Sequence, residues 1–226
     1  MLGFLTLNKP TGVTSFSLVR KLRKLTGEKR VGFAGTLDPF AQGVLIFAIG
    51  RAYTRQLDHF HTLPKTYRFT WVLGIETTTL DPEGPITHQE PFAGDLTQLH
   101  DILPQFTGTI SQLPPIFSAK KINGKPAYLS ARKGEVPELK PVDVTIEALE
   151  LLNVTPGEFP QIEMRMTCSK GTYVRSMVRD LAVALGSVGY CKTLIRESVG
   201  HHTLATAMHP ETLTPETLPE VLTHEP

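Results

Sequence analysis

Residues 43–50, Gly-Val-Leu-Ile-Phe-Ala-Ile-Gly, form an unbroken apolar run bounded by glycines. Eight residues without alternation suit a strand buried on both faces rather than a helix. A core must therefore form around this run, and whatever immediately precedes it lies at the margin of that core. Just upstream is Val-Gly-Phe-Ala-Gly-Thr-Leu-Asp-Pro at 31–39, which carries one acid, Asp38. Pro39 pushes Asp38 away from the α region, while Gly32 and Gly35 permit conformations or close approaches that a Cβ would block. An acid held on such a turn can be aimed, although an ordinary Asp-Pro turn has the same local composition.

The length of 226 residues and an apolar content of 40% fit one large domain or two small ones. Only Cys168 and Cys191 occur, without paired spacing, so neither a disulfide framework nor a cysteine-rich zinc site is supported and a reducing cytoplasm is expected. The first residues lack a basic leader followed by an apolar core, and no apolar run reaches membrane-spanning length. The net charge is only +1, but residues 201–226 hold four acids and no Lys or Arg, leaving +5 on the rest. The cations concentrate in Arg20 to Arg30, Lys120 to Lys140 and Arg165 to Arg179. Gathered on one face they would attract phosphates; scattered, they are solvated surface.

In chain order, residues 3–8 suit a strand, and a helix follows that Thr14 or Ser15 caps and Gly27 ends. Its Leu18, Leu22 and Leu25 recur at helical spacing, with Arg20, Lys21, Arg23 and Lys24 on other faces. Residues 51–61 read as helical, and 65–73 alternate as a strand with Tyr67 and Phe69 on one face. The polar stretch 74–94 reads as a loop, and its Asp81-Pro82-Glu83-Gly84 lacks the other oxygen ligands of a calcium site. Residues 96–106 have helical spacing. Pro114 to Lys140 combines five Lys and an Arg with Phe117 and Tyr128, the composition of an exposed RNA-binding arm with a short helix near Ala127 to Lys133. Strands are expected at 142–154, 161–168 and 194–199, and a helix at 172–185 with Arg175 in its first turn. The acidic tail after 200 has no strong pattern, and disorder is expected towards its end.

No Walker sequence, Gly-x-Gly-x-x-Gly helix start or His-Glu-x-x-His is present. The pairs His59/His61 and His201/His202 lack Cys or carboxylate partners at matching spacing, so neither a metal nor a cofactor is expected. What remains is an aspartate on a turn, basic segments and aromatics, which suit carboxylate chemistry on an anionic polymer.

Five motifs then stand in order. They are Lys9-Pro10-x-Gly12-x-Thr14-Ser15; Gly35-Thr36-Leu37-Asp38-Pro39 with Gly43; Lys65-x-Tyr67; Pro114-Pro115-x-Phe117-Ser118-Ala119-x-Lys121-x-x-Gly124-x-x-Ala127-Tyr128; and Cys168-Ser169-Lys170-Gly171-Thr172-Tyr173-Val174-Arg175. Together, across roughly residues 3–200, they resemble the bacterial TruB-type tRNA pseudouridine synthases. The resemblance implies an α+β fold, a mixed and mostly antiparallel central sheet with flanking helices and a cleft, acting on uridine 55 in the tRNA T-loop by flipping the base. It implies Asp38 as the essential carboxylate, Arg175 as its ion-pair partner and Tyr67 as a ring on the base and a proton acceptor. It also implies Tyr173 and Leu194 as pocket walls, and Lys9, Lys65, Lys121, Lys125 and Lys170 as substrate-binding cations. The tRNA T-arm is the expected partner, with no membrane, no required protein partner and a monomeric state.

Two departures stand out. Phe33 occupies the position where the family has histidine, two residues before the motif glycine, so that side chain can stack on the substrate but cannot hydrogen-bond. The 26 residues after 200 are too short for the PUA RNA-binding domain of relatives. The expected division is thus a catalytic domain at 1–200, with a gripping arm at about 112–140, and a tail at 201–226, with more salt-sensitive RNA binding than two-domain relatives. Two alternatives belong to other classes: a tRNA-binding or tRNA-folding protein without activity, and a carboxylate glycosidase, for which the paired acid is missing.

Overall fold

The computed structural model describes residues 1–118, 120–122, 125–126 and 138–225. The short helix expected at 127–133 lies outside the described residues. In chain order the elements are β1 (Gly3–Lys9), α1 (Ser15–Thr26), β2 (Val31–Ala34), β3 (Gln42–Ile49), α2 (Arg51–Thr54), α3 (Leu57–Thr62), β4 (Lys65–Leu73), β5 (Ile75–Thr77), β6 (Ile86–Gln89) and α4 (Gln98–Ile102). There follow β7 (Gly108–Gln112), β8 (Lys121–Ile122), β9 (Lys125–Pro126), β10 (Val142–Thr155), β11 (Gln161–Cys168), α5 (Val174–Ala184), β12 (Gly189–Val199), β13 (His202–Thr203) and α6 (Leu218–Val221). The class is α+β with mixed pairing.

The chain divides into two compact units, residues 1–68 with 194–226 and residues 69–193. This differs from the expected 1–200 and 201–226. The tail is no separate appendage, because its apolar side chains belong to the first unit's core: Leu213 and Leu218 are buried, and main-chain hydrogen bonds tie Thr223 to Phe4 and Met208 to Thr6 and Asn8. Paired in this way, the tail also covers polar backbone groups along β1 that would otherwise be an open edge. Within the tail lie a short 3-10 turn at Pro210–Thr212 and α6.

In the first unit, β3 pairs antiparallel with β1 along one edge and with β2 along the other, and β12 joins it in parallel at Gln42 and Gly43. Every side chain from Val44 to Ile49 is buried, as the unbroken apolar run requires. Val44, Ile46 and Ala48 pack with Phe4, Phe60 and Val199, each large side chain contributing about 1.5–3 kcal/mol. Helix α1 runs as expected, with Thr14 Oγ1 accepting from Ser17 N–H and Gly27 closing the helix in the left-handed region. Residues 51–61, read as helical, contain two short helices, α2 and α3.

The second unit orders its strands β4-β11-β10-β7. β10 pairs antiparallel with β11 and β7, and the side chains of Ile162, Met164, Met166 and Cys168 point alternately inward from β11. The stretch 74–94, read as a loop, contains a hairpin of β5 and β6. Its polar composition hid the pairing, since β6 is exposed along its whole length.

Candidate active site

Asp38 lies in the connection from β2 to β3, half-buried, and its main chain is fixed from several sides within the first unit. Before it, Gly35 adopts φ 71°, and its carbonyl accepts from Arg196 Nη2 at 2.9 Å. After it, Val44 O accepts from Arg196 Nε at 2.7 Å, so one buried guanidinium clasps both ends of the connection. A Cβ on Gly35 would stand 3.3 Å from Arg196 Nη1, and one on Gly43 would lie 2.3 Å from Arg196 O. The motif glycines therefore admit the arginine and its strand. Ser15 Oγ bonds both Leu37 O (3.1 Å) and Leu37 N (3.3 Å). Pro39 O accepts from Gly12 N at 2.8 Å and from Lys9 Nζ at 3.3 Å, and Asp38 O accepts from Ala41 N.

Lys9 and Lys65 stand differently from expectation. Lys9 is fully buried, with Nζ also donating to Pro10 O and Val13 O. Lys65 is buried too, its Nζ capping Phe60 O, His61 O and Leu63 O. Each ammonium donates to several main-chain carbonyls of the segments around it, which is a way of holding loops. Phe33 is half-buried with its ring 5.9 Å from that of Phe47, Tyr67 is half-buried on β4, and Leu194 is buried on β12.

In the second unit, Arg175 occupies the first turn of α5 and is only 4% exposed. Its Nη1 donates to Thr79 O at 2.8 Å and lies 3.3 Å from Asp81 Oδ2, and its Nη2 donates to Phe117 O at 2.9 Å. Asp81 is buried as well, its Oδ1 accepting from Thr79 Oγ1 and from Glu83 N. Beside it, Leu80 has φ 59°, a left-handed conformation that branched or bulky side chains rarely adopt. The Asp-Pro-Glu-Gly segment, left without a purpose by the sequence, thus buttresses Arg175. Tyr173, the N-cap of α5, is pinned by Gln112, whose amide donates to Tyr173 O and accepts from Tyr173 N. Gln112 is fully buried, and nothing in its local sequence marked it. Lys170 is exposed. Lys121 and Lys125 stand on the paired β8 and β9.

Among the described residues, no three His, Cys, Asp or Glu side chains are grouped so as to hold a metal ion, and no helix is long and apolar enough to cross a membrane.

A model of the TruB pseudouridylate synthases, N-terminal domain, matches residues 23–174. The tRNA pseudouridine synthase B of Protochlamydia amoebophila is 45% identical over 198 residues, 88% of this chain and 74% of that protein. That of Parabacteroides distasonis is 45% identical over 214 residues, 92% of this chain and 89% of its own length. Among solved structures, a Cbf5-Nop10-Gar1 complex superposes with a TM-score of 0.68 at 23% identity, covering 92% of this chain and 52% of that one, a likeness of fold. These matches put the protein among the pseudouridylate synthases. Within that class, the chain belongs to the TruB family.

Proposed function

We propose that this protein isomerises uridine in tRNA to pseudouridine, with uridine 55 of the T-loop as its target and Asp38 as the catalytic carboxylate. The relatives at 45% identity are tRNA pseudouridine synthases B, and the observation that carries the reading to this chain is the connection around Asp38, clamped by Arg196, Ser15, Gly12 and Lys9. A reacting group must be held in place to gain from proximity, and this backbone has little freedom to move it.

The reaction breaks the bond from uracil N1 to C1′ and forms one from C5 to C1′. The proton lost from C5 is balanced by the one gained at N1, so the products have the atoms of the reactants and no outside reagent enters. In this scheme Asp38 supplies the carboxylate, Arg175 favours its ionised form in a site desolvated by the bound base, and Tyr67 packs on the base and accepts the proton. Tyr173 and Leu194 wall the base, with Phe33 stacking where relatives have histidine. The base must leave its stack, at a cost of a few kcal/mol that phosphate and stacking contacts offset. Lys170, with Lys121 and Lys125 of the arm, makes such phosphate contacts. Lys9 and Lys65, buried against carbonyls, act by shaping the loops.

The test is incubation of the purified chain with an unmodified tRNA transcript, followed by mapping of pseudouridine. A single new pseudouridine at position 55 supports the proposal. Tight binding of the transcript with no pseudouridine formed would favour the non-catalytic RNA-binding alternative, and release of free uracil would favour a glycosidase.

A further inference from the structure

The first basic segment, Arg20 to Arg30, has no part in the site described above. Helix α1 explains half of it. Ser15, Leu18, Val19 and Leu22 are buried, whereas Phe16, Arg20, Arg23 and Lys24 are exposed and recur at i, i+4, i+7 and i+8, which is one helical stripe. That stripe extends over roughly 12 Å of helix axis. No acid occurs in the helix. Phe16 is 55% exposed, and the guanidinium of Arg20 lies over its ring at 5.8 Å from the centroid. A cation over one face steadies the ring and leaves the rest of it open to a planar partner. Position matters as well: Phe16 and Asp38 are the immediate neighbours of Ser15 and Leu37, which are joined by two hydrogen bonds.

We propose that this face of α1 is a second RNA-binding site of the enzyme: Phe16 stacks on an unpaired base of the substrate outside the reacting nucleotide, and Arg23 and Lys24 bind the phosphates that follow. The inference rests on tRNA being the substrate. A single exposed phenyl needs no partner, and a basic face alone is often only solvated. An aromatic at the head of three cations, with no acid between them, matches the combination that single-stranded RNA requires, stacking for the base and positive charge for the backbone.

The test uses the full chain and a fluorescently labelled, unmodified T-arm stem-loop. Phe16→Ala should weaken binding about 5- to 150-fold, the range for losing one base stack, while Phe16→Tyr, which keeps the ring, stays within about twofold of the parent. Neutralising two phosphate contacts in the double variant Arg23→Gln, Lys24→Gln should lower the slope of log Kd against log salt by between about 1 and 2. Val183→Ala, at an exposed position on α5, is the matched control and should change neither quantity. The inference is overturned if Phe16→Ala binds like the parent, or if its effect is a change of sedimentation state without loss of RNA affinity, which would make the face a contact between copies of the chain. A parent protein that forms no pseudouridine in the transcript would instead defeat the proposed function, a separate readout from these affinities.

Discussion

Arg196→Lys tests whether the connection carrying Asp38 is held by a fork. In the parent, one guanidinium donates to Val44 O at 2.7 Å and to Gly35 O at 2.9 Å, and no carboxylate pairs with it among the described residues. Lysine presents a single nitrogen on a flexible stem and cannot span two divergent carbonyls, so one bond is lost and one buried carbonyl is left without a donor. A hydrogen bond from a charged donor contributes about 1.5–3 kcal/mol, and an unsatisfied buried carbonyl costs about 1–3 kcal/mol. Partial relaxation around the smaller head brings the expected loss to about 2–4 kcal/mol. For a chain of this size each kcal/mol shifts Tm by about 2–4 °C, so the variant should melt roughly 5–15 °C lower. Turnover should fall by at least about tenfold at a temperature where the variant is still folded, because a loosened connection misplaces the carboxylate. The assays are thermal unfolding followed by circular dichroism and single-turnover pseudouridine formation. A melting temperature within a degree of the parent, together with parental turnover, would refute the reasoning.

Asp81→Asn should lower both stability and single-turnover rate, the latter about 10- to 100-fold, since it removes the buried carboxylate charge that lies 3.3 Å from Arg175 Nη1; an unchanged rate would show that the buttress is dispensable. Stability should also depend on His202. Burial, then the neighbouring His201 and His59, push its imidazole down to about 4. Unfolded, the group takes up a proton near pH 6.5, so between about 6.5 and 4 the unfolded chain holds more protons and stability falls as the solution is acidified. His202→Gln should lose less stability than the parent between pH 7.5 and 5 in urea titrations, and parallel losses in the two proteins would contradict this.

What the sequence made legible was what local physics determines. The run at 43–50 had to be a buried strand, the Leu18 and Leu22 spacing with Thr14 and Gly27 at the ends delimited α1, and the alternation at 161–168 delimited β11. The Asp38 turn could be seen because glycine and proline mark backbone geometry directly. Its clamps could not: Arg196 is 158 positions away from Asp38 in the chain and reads locally as an ordinary arginine on a strand. Asp81 looked like any Asp-Pro turn, because its meaning depends on Arg175, 94 residues later. Lys9 and Lys65 misled for the opposite reason. A lysine is expected at the surface, and nothing in the neighbouring sequence announces the carbonyls gathered around its buried ammonium. The tail misled because its few apolar residues, Leu213 and Leu218 among them, are spaced irregularly between prolines and acids, so no periodicity showed that they belong to the first unit.

The role of Asp38 is the centre of the account, and the substitution Asp38→Asn addresses it with almost no change of shape. The measurement is paired: affinity for an unmodified tRNA transcript, and pseudouridine formed from that transcript under single-turnover conditions. The account predicts affinity within a few-fold of the parent and no detectable product. Product formed by Asp38→Asn at a rate near that of the parent would contradict it.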